Sequence, residues 1–137
     1  MSPGYLLVQV EGASYGLPLG PVLQVDDLGE VMEVPRVLPA MRGLTPLVGR
    51  LVPLIHLGAL LGEHAPPPER GLASVLVDLG GGERLVALEV DDADEVIRGA
   101  VLPAPPGESL PWASGVARRD GRLVPILDWG ILQERIK

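Results

Sequence analysis

The chain reads as an all-β domain of two small barrels related by pseudo-symmetry, with only short helices. Three observations predict this. Val- and Leu-rich runs of strand length recur along the sequence, separated by Gly-rich or Asp-Gly turn signals. The stretch Gly49–Leu61 (GRLVPLIHLGALL) returns as Gly121–Gln133 (GRLVPILDWGILQ), with seven of thirteen positions identical. A glycine also stands six positions ahead of each copy, at Gly43 and Gly115, so the spacing is kept beyond the copies themselves. A half of about 60 residues is only marginally stable alone, so the two halves are expected to pack together.

The elements follow in order. Tyr5–Val10 and Ala13–Leu19 read as strands joined by a turn near Glu11–Gly12. Pro21–Leu28 reads as one or two helical turns, and Val31–Val34 as a third strand. The first repeat copy supplies Leu44–Val48 and Leu51–Leu57 around a turn at Gly49–Arg50, then a short helix Leu57–Leu61 stopped by Gly62. His64–Gly71 (HAPPPERG) is a stiff, extended connection. Ser74–Leu79 and Leu85–Val90 are strands about a hairpin turn at Gly80–Glu83, because glycine accepts the positive φ such turns need. A second Pro-rich stretch, Pro103–Pro111, precedes the second copy: Val116–Arg118, the turn Asp120–Gly121, Leu123–Leu127, then a helix over Trp129–Ile136. Asp128 sits where an N-cap belongs; His56 holds the same place in the first copy and is a poorer cap. Pro53 and Pro125 fall in matching strands and mark an edge or a bend, since proline cannot donate to a ladder. The expected partition is a first barrel over 1–62, a Pro-rich connection over 63–71 and a second barrel over 72–137.

Composition narrows the function. At 137 residues the chain fits one domain, and with no Phe the core is built from Leu, Val, Ile and Ala. The net charge is -7, and the only Lys is Lys137. The arginines are scattered apart from Arg118–Arg119, so neither nucleic acid nor an anionic membrane surface is an expected partner. There is no Cys, hence no disulfide or thiolate metal site. The start lacks the basic, apolar pattern of a signal peptide, and no apolar run approaches the roughly 20 residues of a membrane helix. The reading is a cytoplasmic protein.

Catalytic constellations are missing. His56 lies in an apolar strand and reads as a packed structural histidine; His64 opens the Pro-rich link and reads as solvated. There is no Gly-x-Ser-x-Gly elbow, and Gly80–Gly82 is not followed by the Gly-Lys-Ser/Thr of a phosphate loop. The acidic run Glu89–Glu95 (EVDDADE) lacks the alternating carboxylates and turn glycine of a calcium loop, and reads as a charged turn. No metal or cofactor is expected. The rival reading is a small β-barrel enzyme or ligand-binding protein using His56 and a carboxylate.

Several segments carry a resemblance. Gly43-Leu-Thr-Pro-Leu-Val-Gly49 followed by Leu51-Val-Pro-Leu-Ile-His-Leu57, Val90-Asp91-Asp92-Ala93-Asp94-Glu95-Val96, and Gly115-Val-Ala with Asp120-Gly-Arg-Leu-Val-Pro-Ile-Leu-Asp128 stand in a characteristic order, with Val34–Pro35 ahead of the first. In these the chain resembles, over nearly its whole length, the CheW family of bacterial chemotaxis coupling proteins. The motif positions with structural roles are Gly43, Pro53, Asp91, Gly115, Gly121 and Asp128. The resemblance implies two SH3-like five-stranded barrels around a shared core, and a non-catalytic adaptor. It implies two partners: the regulatory domain of a CheA-type histidine kinase, and the cytoplasmic tip of a chemoreceptor, held as a helix in an apolar groove between the barrels. By position, Leu47, Val48, Gly49 and His56 are kinase-interface candidates. Val22, Val25 and Val34 are receptor-groove candidates.

The first copy departs from the family pattern. The N-L-R-G segment reads Pro46-Leu47-Val48-Gly49, the aspartate of P-V-I-D-L is His56, and the glutamate of V-x-E-I is Gln24. Val cannot make the bidentate contacts of Arg. The fold is expected to be retained and the first-barrel contacts altered. Three readings fit: an adaptor of a type IV pilus (twitching) system, an adaptor of another divergent pathway with its own kinase, or a non-coupling relative that only occupies the array. Sheet edges and exposed apolar patches also leave self-association possible.

Overall fold

The computed structural model describes residues 4–35, 38–103 and 110–136. The elements are β1 (Gly4–Val10), β2 (Ala13–Pro18), β3 (Val22–Asp27), β4 (Met41–Leu47), β5 (Arg50–His56), α1 (Leu57–Gly62), β6 (Ala73–Asp78), β7 (Leu85–Val90), β8 (Asp92–Arg98), β9 (Ala113–Arg119), β10 (Arg122–Leu127) and α2 (Trp129–Ile136). They form two five-stranded sheets, ordered β8-β1-β2-β10-β9 and β3-β6-β7-β5-β4.

The two sheets share one topology. Reading across both, β8 corresponds to β3, β1 to β6, β2 to β7, β10 to β5 and β9 to β4. Each sheet has one parallel seam, β10 with β2 and β5 with β7, and every other pairing is antiparallel. One barrel is continuous in the chain, from β3 to β7. The other is a circular permutation of it, with β1 and β2 completing a sheet whose remaining strands are β8 to β10. The expected halves 1–62 and 72–137 are therefore corrected: the boundary at 63–71 lies inside the continuous barrel, between α1 and β6. The repeated letters run through β5–α1 and β10–α2 only, so they mark equivalent positions without showing which hairpin completes which sheet.

The glycines ahead of each copy have one cause. Past β3 the chain returns to β4, where Met32 and Leu44 exchange hydrogen bonds of 2.7 and 2.8 Å; past β8 it returns to β9, where Leu102 and Val116 do the same at 2.7 and 2.8 Å. A Cβ on Gly43 would strike the Met32 carbonyl oxygen, and one on Gly115 the Leu102 carbonyl oxygen. Only glycine lets the closing segment pass over the strand that closely.

Alternation along the strands sorts the side chains. Leu6, Val8 and Val10 of β1 face Val75 and Val77 of β6 and Leu88 of β7 in one large cluster between the barrels, which also takes Leu57 and Leu60 of α1 and Leu132 of α2. The opposite strand faces fill two small interiors: Val52, Leu54, Leu76 and Ala87 in one barrel, Tyr5, Ala117 and Ile126 in the other. Pro53 and Pro125 stand just before the parallel seams, which begin at Leu54 and Ile126, so no acceptor across the seam waits for the N–H that proline lacks.

Four local expectations need correction. Val22–Asp27 is strand β3, not helical turns; antiparallel pairing with β6 decides it. Val31–Val34 contributes a single bridge at Met32 instead of a strand. The first-copy turn is Val48–Gly49, since Leu47 pairs with Arg50. The acidic run is not a turn: Asp92–Arg98 is strand β8, paired with β1, and its Asp92 and Glu95 are exposed at the sheet edge. In both strands tertiary pairing overrides weak local propensity. Within the expected Pro-rich stretch Pro103–Pro111, positions 104–109 lie outside the described residues.

Candidate interaction surfaces

The β4–β5 hairpin presents Leu47, Val48 and Gly49 at its tip. Val48 (φ 46°) and Gly49 (φ 79°) both adopt left-handed backbone, as the two-residue hairpin turn requires. Its mate, the β9–β10 turn, meets the same demand with Asp120 (φ 50°) and Gly121 (φ 76°). Aspartate tolerates that region, whereas a β-branched valine is an outlier there. Val48 is nonetheless 56% exposed, and Leu51 beside it 50%, so burial does not account for the residue. Leu47 is half-buried and leans on the Val52–Leu54 interior.

His56 is not on that surface. It ends β5, six residues beyond Arg50 and hence about 20 Å from the hairpin tip. It is buried, and its Nδ1 accepts a hydrogen bond from the Ala59 N–H at 3.0 Å. It is thus the N-cap of α1, a position for which its sequence promised little. Burial pushes its pKa below the ordinary value, with the Glu89 carboxylate pulling the other way. The neutral ring suits a cap whose Nδ1 must accept. Asp128 caps α2 as expected, its carboxylate accepting from Gly130 N at 2.8 Å and Ile131 N at 3.3 Å.

Of the groove candidates, Val22 packs on the central cluster, Val25 is exposed on β3 beside Leu23, and Val34 is half-buried just past the Met32 bridge. The carboxylate of Asp91 accepts from the Glu11 N–H at 2.7 Å and ties the β1–β2 turn to the β7–β8 junction.

Sequence reasoning missed one centre. Arg42 of β4 donates Nε to Glu89 Oε1 at 3.0 Å and Nη2 to Glu89 Oε2 at 2.9 Å, with the Glu89 side chain fully buried. The same guanidinium donates to the carbonyls of Pro67 at 2.6 Å and Glu69 at 3.0 Å, and Glu89 also accepts from Gly71 N at 2.6 Å. The pair straps the Pro-rich segment onto the continuous barrel. The available signal was a glutamate inside the apolar run Leu85–Val90.

Among the described residues, no group of three or more His, Cys, Asp or Glu is arranged to hold a metal ion. No helix among them is long and apolar enough to cross a membrane.

The structure is two SH3-like barrels sharing one core, and among the described residues the hairpin tip, the exposed strand β3 and the strap are its candidate surfaces. The CheW-like domain profile matches residues 4–135. The chain is similar in structure to the scaffolding protein TtCheW from Thermoanaerobacter tengcongensis, with a TM-score of 0.79 and 22% sequence identity, over 96% of this chain and 88% of that one. A search of curated proteins by sequence found no match. The chain belongs to the CheW-like domain family and is a non-catalytic domain.

Proposed function

We propose that the chain is an adaptor coupling chemoreceptors to a CheA-type histidine kinase in chemotaxis-type signalling, working in the cytoplasm. The β4–β5 hairpin tip, Leu47, Val48 and Gly49, is its kinase contact. The observation that carries this is Val48: an exposed β-branched residue held in left-handed backbone, where its own mate in the second barrel is aspartate. Strain of that kind persists where a side chain is used. Because the family's arginine is valine here, the kinase's matching surface is apolar at this point and not acidic. The exposed Val25, with Val22 and Val34, is the receptor-side candidate. His56 acts behind the surface by fixing α1.

The test is a calorimetric titration of the protein with the regulatory domain of its own organism's CheA-type kinase. Saturable binding at micromolar or better is expected. Val48→Asn should weaken it about ten-fold, as loss of an interface anchor does. The same change should stabilise the free protein by about 1 kcal/mol, because asparagine accepts the left-handed region. Absence of binding at high micromolar, or unchanged affinity in Val48→Asn, refutes the assignment.

A further inference from the structure

The two barrels repeat one topology, but they are not filled alike. At the turn end of the continuous barrel, Leu47 and Leu85 pack on the buried interior of Val52, Leu54 and Leu76 and stopper it. Aligning the parallel seams, Leu54 beside Ala87 and Ile126 beside Gly16, places Arg119 where Leu47 stands and Ser14 where Leu85 stands. The permuted barrel therefore lacks both stoppers. It lacks a clasp as well. Arg50 donates to the Gly82 carbonyl at 2.9 Å and holds the long β6–β7 turn against the β4–β5 hairpin. Its counterpart is Arg122, the β1–β2 turn opposite is only Glu11–Gly12, and Arg122 makes no hydrogen bond among the described residues.

What remains is a concavity of about 600 Å³ at the turn end of the permuted barrel. Leu7 and Val124 form its apolar floor, Gln9 and Ser14 one wall, and Arg119 and Arg122 the other. Charge sets this end apart. The chain carries a net charge of -7, yet three of its ten arginines, Arg118, Arg119 and Arg122, gather on the β9–β10 hairpin. Among the described residues only Arg119 is in an ion pair, with the exposed Glu95 at 2.7 Å, and Asp120 is the one carboxylate lining the mouth. A surface pair of that kind is worth little and exchanges readily.

We propose that this mouth receives a leucine-sized side chain of another protein, carried in an acidic segment. The sister barrel shows the fit: aliphatic side chains close the same end there, and an arginine at the Arg122 position fastens what lies across them. An apolar anchor on Leu7 and Val124 would leave water as Leu47 and Leu85 do. A carboxylate beside it meets the free Arg122 guanidinium, whose forked donors take both oxygens. The mouth belongs to the other barrel from the β4–β5 hairpin tip, so it stands or falls apart from the kinase contact.

The test titrates the intact protein with the blocked peptide acetyl-Glu-Leu-Glu-amide at constant ionic strength, read by the NMR shifts of the Leu7, Ser14 and Val124 amides. Saturable shifts are expected, with a dissociation constant on the order of 1 mM for so small a probe. Arg122→Gln should weaken binding roughly five-fold, the size of one exposed ion pair. Ser14→Leu, which copies the stopper of the sister barrel, should abolish the shifts while the melting temperature holds or rises. Acetyl-Gln-Leu-Gln-amide and acetyl-Glu-Ser-Glu-amide should each bind at least five-fold more weakly than the parent. No shift, equal binding of either control peptide, or unaltered binding in both variants would overturn the proposal. So would self-association of the free protein that Ser14→Leu abolishes, because a second copy would then be the occupant.

Discussion

Replacing Arg42 by methionine tests the strap. The substitution keeps the aliphatic stem and removes the guanidinium, leaving the carboxylate of Glu89 fully buried with one donor, Gly71 N, of the three it has in the wild type. Removing one partner of a buried ion pair costs about 3–5 kcal/mol, because the other charge is left uncompensated. The lost contacts to the Pro67 and Glu69 carbonyls add little, since water can reach the strap. A chain of this length loses about 3–5 °C of melting temperature per kcal/mol, so the drop should be roughly 10–20 °C. Urea denaturation at pH 7 measures the free energy directly. The double variant Arg42→Met with Glu89→Leu should recover most of the loss, because two apolar groups replace the pair without orphaning a charge. A second readout is local. The Arg70–Gly71 bond should become the first site of trypsin cleavage in Arg42→Met, while other arginine sites stay protected. A loss within about 1 kcal/mol for Arg42→Met, or a double variant as unstable as the two singles added together, would refute the picture of a water-excluded pair.

Other outcomes follow from the same physics. Gly115→Ala should destabilise by about 2–3 kcal/mol in urea melts, because its Cβ would collide with the Leu102 carbonyl; Gly43→Ala should match it across the pseudo-symmetry. Asp128→Ala should cost about 1 kcal/mol through loss of the α2 cap, seen as a lower urea midpoint with unchanged slope. His56 gives a pH dependence. Its folded pKa lies below the ordinary 6.5, so between those values the unfolded chain binds more protons. Stability should be full above pH 6.5 and fall as the pH drops from there toward the folded pKa. His56→Asn, which keeps a capping oxygen, should remove that slope between pH 7.5 and 5.5; an unchanged slope would show that another group titrates.

What the sequence disclosed was local and periodic. β1, β2, β6, β7, β10 and both helices were legible within a residue or two, because alternating Val and Leu, Gly-containing turns and the Asp128 cap are short-range signals. β3 and β8 were not. Their letters, VLQVDD and DADEVIR, carry too many polar residues for a buried strand, and only the neighbours β6 and β1 make them strands. The partition into barrels was misread for a related reason: a repeat reports likeness between segments, while sheet membership is a long-range property. At the candidate site, Val48 was legible as exposed, since a charged family position implies a solvent-facing side chain. Its left-handed backbone was not, because the turn register placed Gly49–Arg50 at the corner. Arg42 and Glu89 were hidden for want of any signal linking two charges 47 positions apart.

The permuted barrel has a consequence for biosynthesis. As the chain leaves the ribosome, β1 and β2 emerge first, yet the strands that pair with them in the same sheet, β8 and β10, emerge after the whole of the other barrel. The continuous barrel, β3 to β7, has all its sheet partners once Val90 is out. The first hairpin must wait, its Leu6, Val8 and Val10 set against that newly formed surface. The continuous barrel can then act as the template on which the permuted one closes, because pairing the opening hairpin with β8 and β10 needs contacts of long sequence separation, the kind that form slowly.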